Sequence, residues 1–135
     1  MMLKDSYTVE ELDAHRHEWL AALRSGKYKQ GRMYLRDNND NYCCLGIACE
    51  VAGVESEIKQ VSYDTLQAHF YQSSAMSLDK NIQRYYGLRS GIGDPVNRNK
   101  LITLSDLNDL KKLTFSQIAD IIEDNWSEYF TNEID

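Results

Sequence analysis

Apolar residues recur at helical spacing close to the N-terminus and predict a long first helix. Thr8 and Glu11 form a T-x-x-E capping box, a signature of a helix N-terminus. The apolar positions that follow form one broad stripe, which includes Arg16 and is made of Val9, Leu12, Trp19, Leu20 and Leu23. Ser25 and Gly26 end the helix, since glycine adopts the left-handed C′ conformation without a Cβ clash.

The C-terminal part of the chain predicts a second amphipathic helix. Thr114 and Gln117 form another capping box, and Leu113 with Ile118 provides a hydrophobic staple. The helix should run to about Asn125 and bury a stripe of Phe115, Ile118, Ala119 and Ile122. We expect the aromatic residues that follow to fold back onto the domain: Trp126, Tyr129 and Phe130.

Between these helices the pattern changes to short alternation of apolar and polar residues. Met33 and Leu35 alternate with Tyr34 and Arg36, which is typical of a strand. The D-N-N-D-N run that follows favours a turn, because Asn and Asp tolerate left-handed dihedrals. We therefore predict a β-hairpin over residues 28–44. A weaker pattern over residues 54–76 favours a second hairpin, with an irregular helix as the alternative.

Shorter helices are predicted on either side of residues 54–76. The first ends at Gly53 and presents a narrow face of small residues: Leu45, Ala48, Cys49 and Ala52. Gly46 lowers helix propensity there by roughly 1 kcal/mol relative to Ala, so we expect a neighbouring backbone to approach closely. The second begins at Ser77, ends at Gly87 and buries Ile82, Tyr85 and Tyr86. A short helix or turn over residues 104–110 carries the L-N-D sequence.

Together these elements predict an α+β fold in a single small domain, residues 1–135. Helices at both chain ends would pack around a small antiparallel sheet built on the 28–44 hairpin. The length of 135 residues and the 42% hydrophobic content suit one compact core. No apolar run approaches the roughly 18 residues that cross a bilayer, and the N-terminus lacks a signal-peptide stretch. We therefore expect a cytoplasmic protein with no membrane partner.

Charge is unevenly distributed along the chain, whose net charge is −6. Residues 24–36 contain no acid and carry five cations: Arg24, Lys27, Lys29, Arg32 and Arg36. Residues 80–100 carry five cations against one acid, a local charge of +4. An acidic protein lacks the broad basic surface that duplex nucleic acid requires. The two basic stretches could instead form a pocket for a small anion, although a solvated face of mixed charge is the simpler interpretation.

The three cysteines are concentrated in one short stretch, at Cys43, Cys44 and Cys49. Adjacent cysteines without a second pair fit neither a zinc site nor a C-x-x-C redox site. A nucleophilic thiol at the start of a helix stays open as an alternative, with His69 as the base. The simplest interpretation is that the cysteines pack as small hydrophobic residues. We expect no bound metal and no cofactor.

Several motifs follow one another in a specific order along the chain: W-L-x-A-L-R-S-G-x-Y-x-Q-G, Y-C-C-L-G, G-L, and L-N-D with F-x-x-I-A-D-I-I-E. This order resembles that of a family of small proteins encoded by tailed phages and prophages. The resemblance covers nearly the whole chain, and it implies origin and architecture rather than a particular chemistry. It implies that polar residues inside the motifs are worth testing: Arg24, Tyr28, Gln30, Asn108 and Asp109. One departure is L-N-D-L-K-K-L, where relatives tend to have a glycine soon after L-N-D.

Three functions follow as expectations. The first is a non-catalytic phage accessory protein that binds a host-derived ligand, such as a nucleotide immune signal, and antagonises host defence. Its candidate site combines phosphate-binding cations, aromatic residues for a base and the polar motif residues: Arg24, Tyr28, Gln30, Arg32, Tyr34, Arg36, Asn108 and Asp109. The second is a protein–protein interaction module that binds a host protein or forms a homo-oligomer. The third is a cysteine-dependent enzyme.

Overall fold

The computed structural model describes residues 3–61 and 65–133. These residues form an α+β fold, as the sequence pattern predicts. In chain order the elements are α1 (Val9–Arg24), β1 (Lys29–Gln30), β2 (Asn41–Tyr42), α2 (Cys44–Val51), β3 (Ser56–Gln60), β4 (Gln67–Tyr71), α3 (Lys80–Tyr86), α4 (Leu104–Asp109), α5 (Phe115–Asp124) and α6 (Trp126–Tyr129). Residues from every helix contribute to one buried hydrophobic cluster.

Helix α1 begins as its sequence predicts. The Glu11 backbone N–H donates to Thr8 Oγ1 at 3.1 Å, and the Thr8 N–H donates to Glu11 Oε1 at 2.9 Å. The apolar stripe is buried except for Val9, which is 47% exposed, so the buried face starts at Leu12. Gly26 follows the helix with a φ of 75°, in the left-handed region.

Arg16 is a buried cation within the α1 stripe. Its Nε donates to the Tyr86 carbonyl at 2.6 Å and its Nη2 to the Thr131 carbonyl at 3.0 Å. The guanidinium lies 4.6 Å from the ring centre of Phe130, and burial lowers its pKa. Arg16 therefore connects α1 to the end of α3 and to the C-terminal segment, which folds back on the domain as predicted.

The predicted hairpin over residues 28–44 is wrong in its geometry. β1 and β2 pair in parallel, Lys29 with Asn41 and Gln30 with Tyr42. The chain leaves the extended path after β1, because Met33 takes a left-handed φ of 74° and the Leu35 N–H bonds the Ala75 carbonyl. The segment thus loops round and returns in the same direction, with a single antiparallel bridge between Arg36 and Tyr42.

The antiparallel sheet lies instead in the segment with the weaker strand pattern. β3 and β4 form a two-stranded hairpin whose register pairs Ser56 with Tyr71 and Gln60 with Gln67. The strand interpretation of residues 54–76 is therefore confirmed for these elements, whereas residues 62–64 lie outside the described part of the chain. β4 also contacts the 36–37 segment, through the N–H of His69 and a bridge between Asp37 and Ala68.

The remaining helices largely follow their sequence signals. α5 has the predicted capping box of Thr114 and Gln117. α3 ends at Gly87, whose φ is 76°, and buries the three predicted apolar residues. Its predicted cap at Ser77 is wrong, because Asp79 occupies the N-cap position. The Asp79 carboxylate accepts bonds from Ser73, so it does not cap the helix with its side chain.

Helix α2 lies at the centre of the fold and is buried from Cys44 to Cys49. Trp19 Nε1 donates to the Cys44 carbonyl at 3.0 Å, and the Tyr86 hydroxyl donates to the Ala48 carbonyl at 2.5 Å. Gly46 allows the closest approach: a Cβ there would lie 1.7 Å from the Leu35 carbonyl oxygen. The close backbone contact that its sequence predicts is confirmed.

We predict that Gly46→Ala destabilises the protein by about 3 kcal/mol, the upper part of the usual range for overpacking. The added methyl group must displace the Leu35 backbone, which outweighs the gain of about 1 kcal/mol in helix propensity. Urea denaturation measures the difference. Gly26→Ala is the matched control, since its Cβ meets no atom within 4 Å, and it should cost only the left-handed strain of about 1 kcal/mol. Equal losses in the two variants would contradict the close-contact explanation.

Candidate functional site

Arg24, the first predicted ligand-binding residue, forms ion pairs within the protein. Its Nη2 lies 2.7 Å from Asp120 Oδ1 and 2.8 Å from Glu123 Oε1. The hydrogen bond that Arg24 donates to Asp120 raises the pKa of the guanidinium above its ordinary value. Arg24 therefore joins the end of α1 to α5, and an anionic ligand would have to compete with two carboxylates.

Arg36 and Tyr28 form a second group, around Tyr42. The Tyr28 and Tyr42 rings meet edge to face with centroids 5.0 Å apart, and the Arg36 guanidinium lies 5.2 Å from the Tyr42 ring centre. Arg36 Nη2 lies 2.9 Å from Asp40 Oδ1, and its Nη1 lies 3.9 Å from Glu50 Oε2. The positive charge of Arg36 is thus balanced by nearby acids, which does not favour a phosphate.

Gln30 and Asn108 meet in a buried junction between distant segments. Asn108 is fully buried, and its Oδ1 accepts bonds from Gln30 Nε2 at 2.9 Å and from the Cys44 N–H at 3.2 Å. Its Nδ2 donates to the Gly31 carbonyl and to Asp109 Oδ1. Gln30 Nε2 also donates to the Leu113 carbonyl at 2.8 Å. These bonds use both N–H donors of the Gln30 amide and the whole Asn108 amide, so the pair holds the fold together rather than facing a ligand.

Asp109 fixes the strained part of the loop that follows β1. Its Oδ1 accepts the Met33 N–H at 3.1 Å. Met33 has a left-handed φ of 74°, a conformation that costs a non-glycine residue of the order of 1 kcal/mol, and its side chain is 56% exposed. The Asp109 carboxylate thus holds residues 31–35 against the end of α4, with Arg32 exposed and Tyr34 half-buried.

Four cations that make no ion pair with any described residue lie on the two sides of this junction. We call the surface formed by Lys29, Arg32, Lys111 and Lys112 the basic ridge; all four residues are exposed. None of the ion pairs among the described residues involves them. The bonds from Met33 to Asp109 and from Gln30 to Leu113 bring the two segments side by side. The basic ridge is therefore free to attract anions.

A mainly apolar groove opens beside the basic ridge, between α4, α5 and the segment that precedes α4. We call it the α4–α5 groove; its volume is about 510 Å³, within the range typical of small-molecule sites. Its lining residues are Lys100, Leu101, Ile102, Leu107, Lys111, Leu113, Ile121 and Asn125. Lys100 and Lys111 supply positive charge, Asn125 supplies an amide, and the other side chains are aliphatic. Lys111 belongs to both the groove and the basic ridge.

The surroundings of the three cysteines do not favour a reactive thiol. All three are free thiols in the buried core. Burial raises the pKa of Cys43 to about 12 and raises the pKa values of Cys44 and Cys49 well above their ordinary value. Cys44 Sγ donates to the Leu104 carbonyl at 3.5 Å. His69 instead bonds Ser56 Oγ at 2.6 Å, so it does not serve as a base for the thiols.

Most of the predicted site residues thus form separate structural contacts, whereas Arg32 lies on the basic ridge. The sequence analysis did not predict the α4–α5 groove. Lys100 falls within the basic stretch of residues 80–100, and Lys111 with Lys112 supplies the only cations after residue 105. These lysines are the sequence feature from which the α4–α5 groove could have been predicted. Their convergence depends on the bonds between the 29–33 and 108–113 segments, which local sequence patterns do not reveal.

Within residues 3–61 and 65–133, no cluster of at least three His, Cys, Asp or Glu side chains could hold a metal ion. In the same part of the chain, no helix has the length and apolar character needed to span a bilayer.

The fold and groove define a small α+β protein with a lysine-flanked apolar cleft. The chain belongs to the family described as Domain of unknown function (DUF8296), whose model matches residues 13–126. The match includes α1 from residue 13 onward, the Asn108 junction and the α4–α5 groove. No curated protein and no solved structure matches the chain.

We predict that Asn108→Ala destabilises the protein by about 2 to 4 kcal/mol, because buried polar groups that bond Asn108 would be left without a hydrogen-bond partner. Arg24→Ala provides the contrast. Its ion pairs are substantially exposed, so the loss should stay below about 1 kcal/mol and shrink further in high salt. Urea denaturation at two salt concentrations measures both. A larger loss for Arg24 than for Asn108 would contradict the structural role assigned to the junction.

We also predict that the protein loses stability in alkali through its buried thiols. The pKa of Cys43 is higher in the folded state than in the unfolded chain. The folded state therefore binds more protons between about pH 8.5, the pKa of a free thiol, and about pH 12, the folded-state pKa. Stability is fully present below this window and falls as pH rises through it.

Thermal melting from pH 7 to pH 10.5 checks this prediction. Comparison of wild type with Cys43→Ala cancels the titration of other groups, so the variant should lose less stability per pH step than wild type. In parallel, the native thiols should react slowly with Ellman's reagent at pH 8 and rapidly in urea. Fast labelling of the native protein would restore the nucleophile hypothesis.

Proposed function

We propose that this protein is a non-catalytic accessory protein of phage origin that binds an anionic host-derived ligand in the cytoplasm of a bacterial host. The proposed ligand class is a nucleotide immune signal, and its capture would antagonise host defence. The observation that carries the proposal is the α4–α5 groove, in which aliphatic walls meet Lys100 and Lys111. The motif resemblance to tailed-phage proteins supports the origin.

The chemistry of the groove suits a ligand with a charged part and an apolar part. An ammonium group is a compact charge that binds phosphate oxygens. The aliphatic side chains of Leu101, Ile102 and Ile121 can cover the face of a base, and the Asn125 amide can bond its polar edge. The neighbouring basic ridge would raise the local concentration of anions and speed their capture.

The lining of the groove supports binding rather than catalysis. None of its residues is a carboxylate, histidine or thiol, and its two lysines are exposed rather than desolvated as a catalytic lysine usually is. The buried cysteines lie in the core and carry raised pKa values, so they supply no thiolate to a ligand. A cysteine-dependent activity therefore receives no support from the geometry.

A host protein is the second candidate ligand. Leu110 is 71% exposed and immediately precedes the lysines of the basic ridge, and Met33 is the exposed apolar residue next to Arg32. Exposed apolar residues beside unpaired cations suit an acidic segment that also carries apolar side chains. In this alternative the same face would cover a partner protein instead of enclosing a small molecule.

The decisive experiment is a thermal-shift screen of wild type against nucleotides, cyclic oligonucleotides and ADP-ribose derivatives. A ligand at 100 times its Kd adds about 2.7 kcal/mol of stability, which raises Tm by several degrees in a domain of this size. The test variant is Lys100→Ala with Lys111→Ala. Lys80→Ala is the matched control, because Lys80 is an exposed lysine outside the groove.

We expect a nucleotide to stabilise wild type and Lys80→Ala, and to lose most of this effect in the double variant. The stabilisation should also weaken as salt increases. An unchanged shift in the double variant would contradict the groove as the site. If no member of the panel raises Tm, the result would contradict a nucleotide signal and favour an acidic protein partner.

A further inference from the structure

At Ile58, the outer edge of β3 pairs with no other strand or bridge among the described residues. The Val61 N–H donates to the Leu66 carbonyl at 2.9 Å, so Val61 and Leu66 are a hydrogen-bonded pair of the hairpin. Hydrogen-bonded and non-hydrogen-bonded pairs alternate along antiparallel strands. The next hydrogen-bonded pairs are therefore Lys59 with Ala68 and Glu57 with Phe70. The residues between them, including Ser56 and Ile58, therefore direct their backbone N–H and C=O groups away from β4. The corresponding groups of β4 point to the opposite side of the hairpin.

The two edges of the hairpin differ in what covers them. On β4, the N–H groups of His69 and Tyr71 donate to the carbonyls of Arg36 and Ser74. On β3, the Ile58 backbone N–H and C=O form no bond to another described residue. The Ile58 side chain is also 53% exposed. An open edge with an exposed isoleucine is the feature that strand addition uses.

The sequence of β3, S-E-I-K-Q, is complementary to itself in an antiparallel pair. A two-fold axis through Ile58 places Ile58 opposite its own copy, as a hydrogen-bonded pair that joins the two open edges. Glu57 then lies opposite Lys59 of the second copy, and Lys59 opposite Glu57. These charged residues occupy the non-hydrogen-bonded positions, where opposed side chains are closest and opposite charges stabilise the pair.

The same charges disfavour the neighbouring registers. A slip of the two-fold axis to residue 57 would set two glutamates against each other, and a slip to residue 59 would oppose two lysines. Charged residues usually protect an edge strand from association. Here their alternation in sign selects one register and rejects the adjacent ones.

We propose that this protein forms a homodimer through antiparallel pairing of β3 with β3 of a second copy, which joins two hairpins into a four-stranded sheet. The pairing uses only the outer edge of β3 and leaves the intramolecular register of the hairpin unchanged. No residue of β3 lines the α4–α5 groove, so the dimer neither requires nor excludes the proposed ligand.

Analytical ultracentrifugation over a concentration series tests the interface. Wild type should show a monomer–dimer equilibrium. Glu57→Lys and Lys59→Glu alone should each weaken dimerisation by about tenfold or more, because each replaces two opposite-charge pairs by two like-charge pairs. The double variant, with Glu57→Lys and Lys59→Glu, should restore wild-type affinity. An equal mixture of the two single variants should form a heterodimer.

Ile58→Pro provides an independent variant. Proline removes the outward N–H at the centre of the interface but takes no hydrogen bond from the β3–β4 ladder, so the monomer should fold and fail to dimerise. Circular dichroism and thermal melting establish folding of each variant. A wild type that stays monomeric at all concentrations would overturn the proposal. A dimer that persists in Ile58→Pro, or that the double charge exchange does not restore, would overturn it equally.

Discussion

The central constraint of this structure is the cap that Asn108 supplies to helix α2 from 64 residues away. The N-cap residue of α2, Cys43, makes no side-chain hydrogen bond to the helix. A buried helix end without a partner would leave N–H groups unsatisfied in the core, at a cost of about 1 to 3 kcal/mol each. Asn108 accepts the Cys44 N–H and bonds β1 and the loop beyond it through the same amide. The packing of α2, the position of the loop and the end of α4 therefore depend on one buried side chain.

This junction also determines which charges are left for function. Arg24 and Arg36 look like anion-binding residues in the sequence, yet each has carboxylates within ion-pair distance. The lysines near residue 111 lie in a strongly acidic part of the chain, and they make no ion pair with the described residues. Attraction of a ligand depends on charge that the protein has not already neutralised, so the functional proposal depends on these lysines rather than on Arg24 and Arg36.

At the cysteines, the helix dipole and burial act on the thiol pKa in opposite directions, and burial has the larger effect. Cys43 and Cys44 stand at the start of α2, where the helix dipole stabilises a thiolate by at most about 1 to 2 kcal/mol. Both thiols are also enclosed in the core, and desolvation is the largest influence on their pKa values. The pKa of Cys43 rises to about 12, which means that loss of water outweighs the dipole. The cysteines are therefore packing residues, and burial disfavours ionisation of their thiols in the folded chain.

Local sequence signals determined the α+β class, both capping boxes, the Gly46 contact and the left-handed end of α3 at Gly87. Each of these depends on residues within one or two turns, or on the absence of a side chain at one position. Tertiary structure alone decided the parallel pairing of β1 with β2, because a contact between Leu35 and Ala75 redirects a segment whose own pattern favours a hairpin. It likewise decided that Asn108 is structural and that Lys100 and Lys111 share a groove. Side chains from distant segments supply those partners, and their proximity is a property of packing that no local spacing encodes.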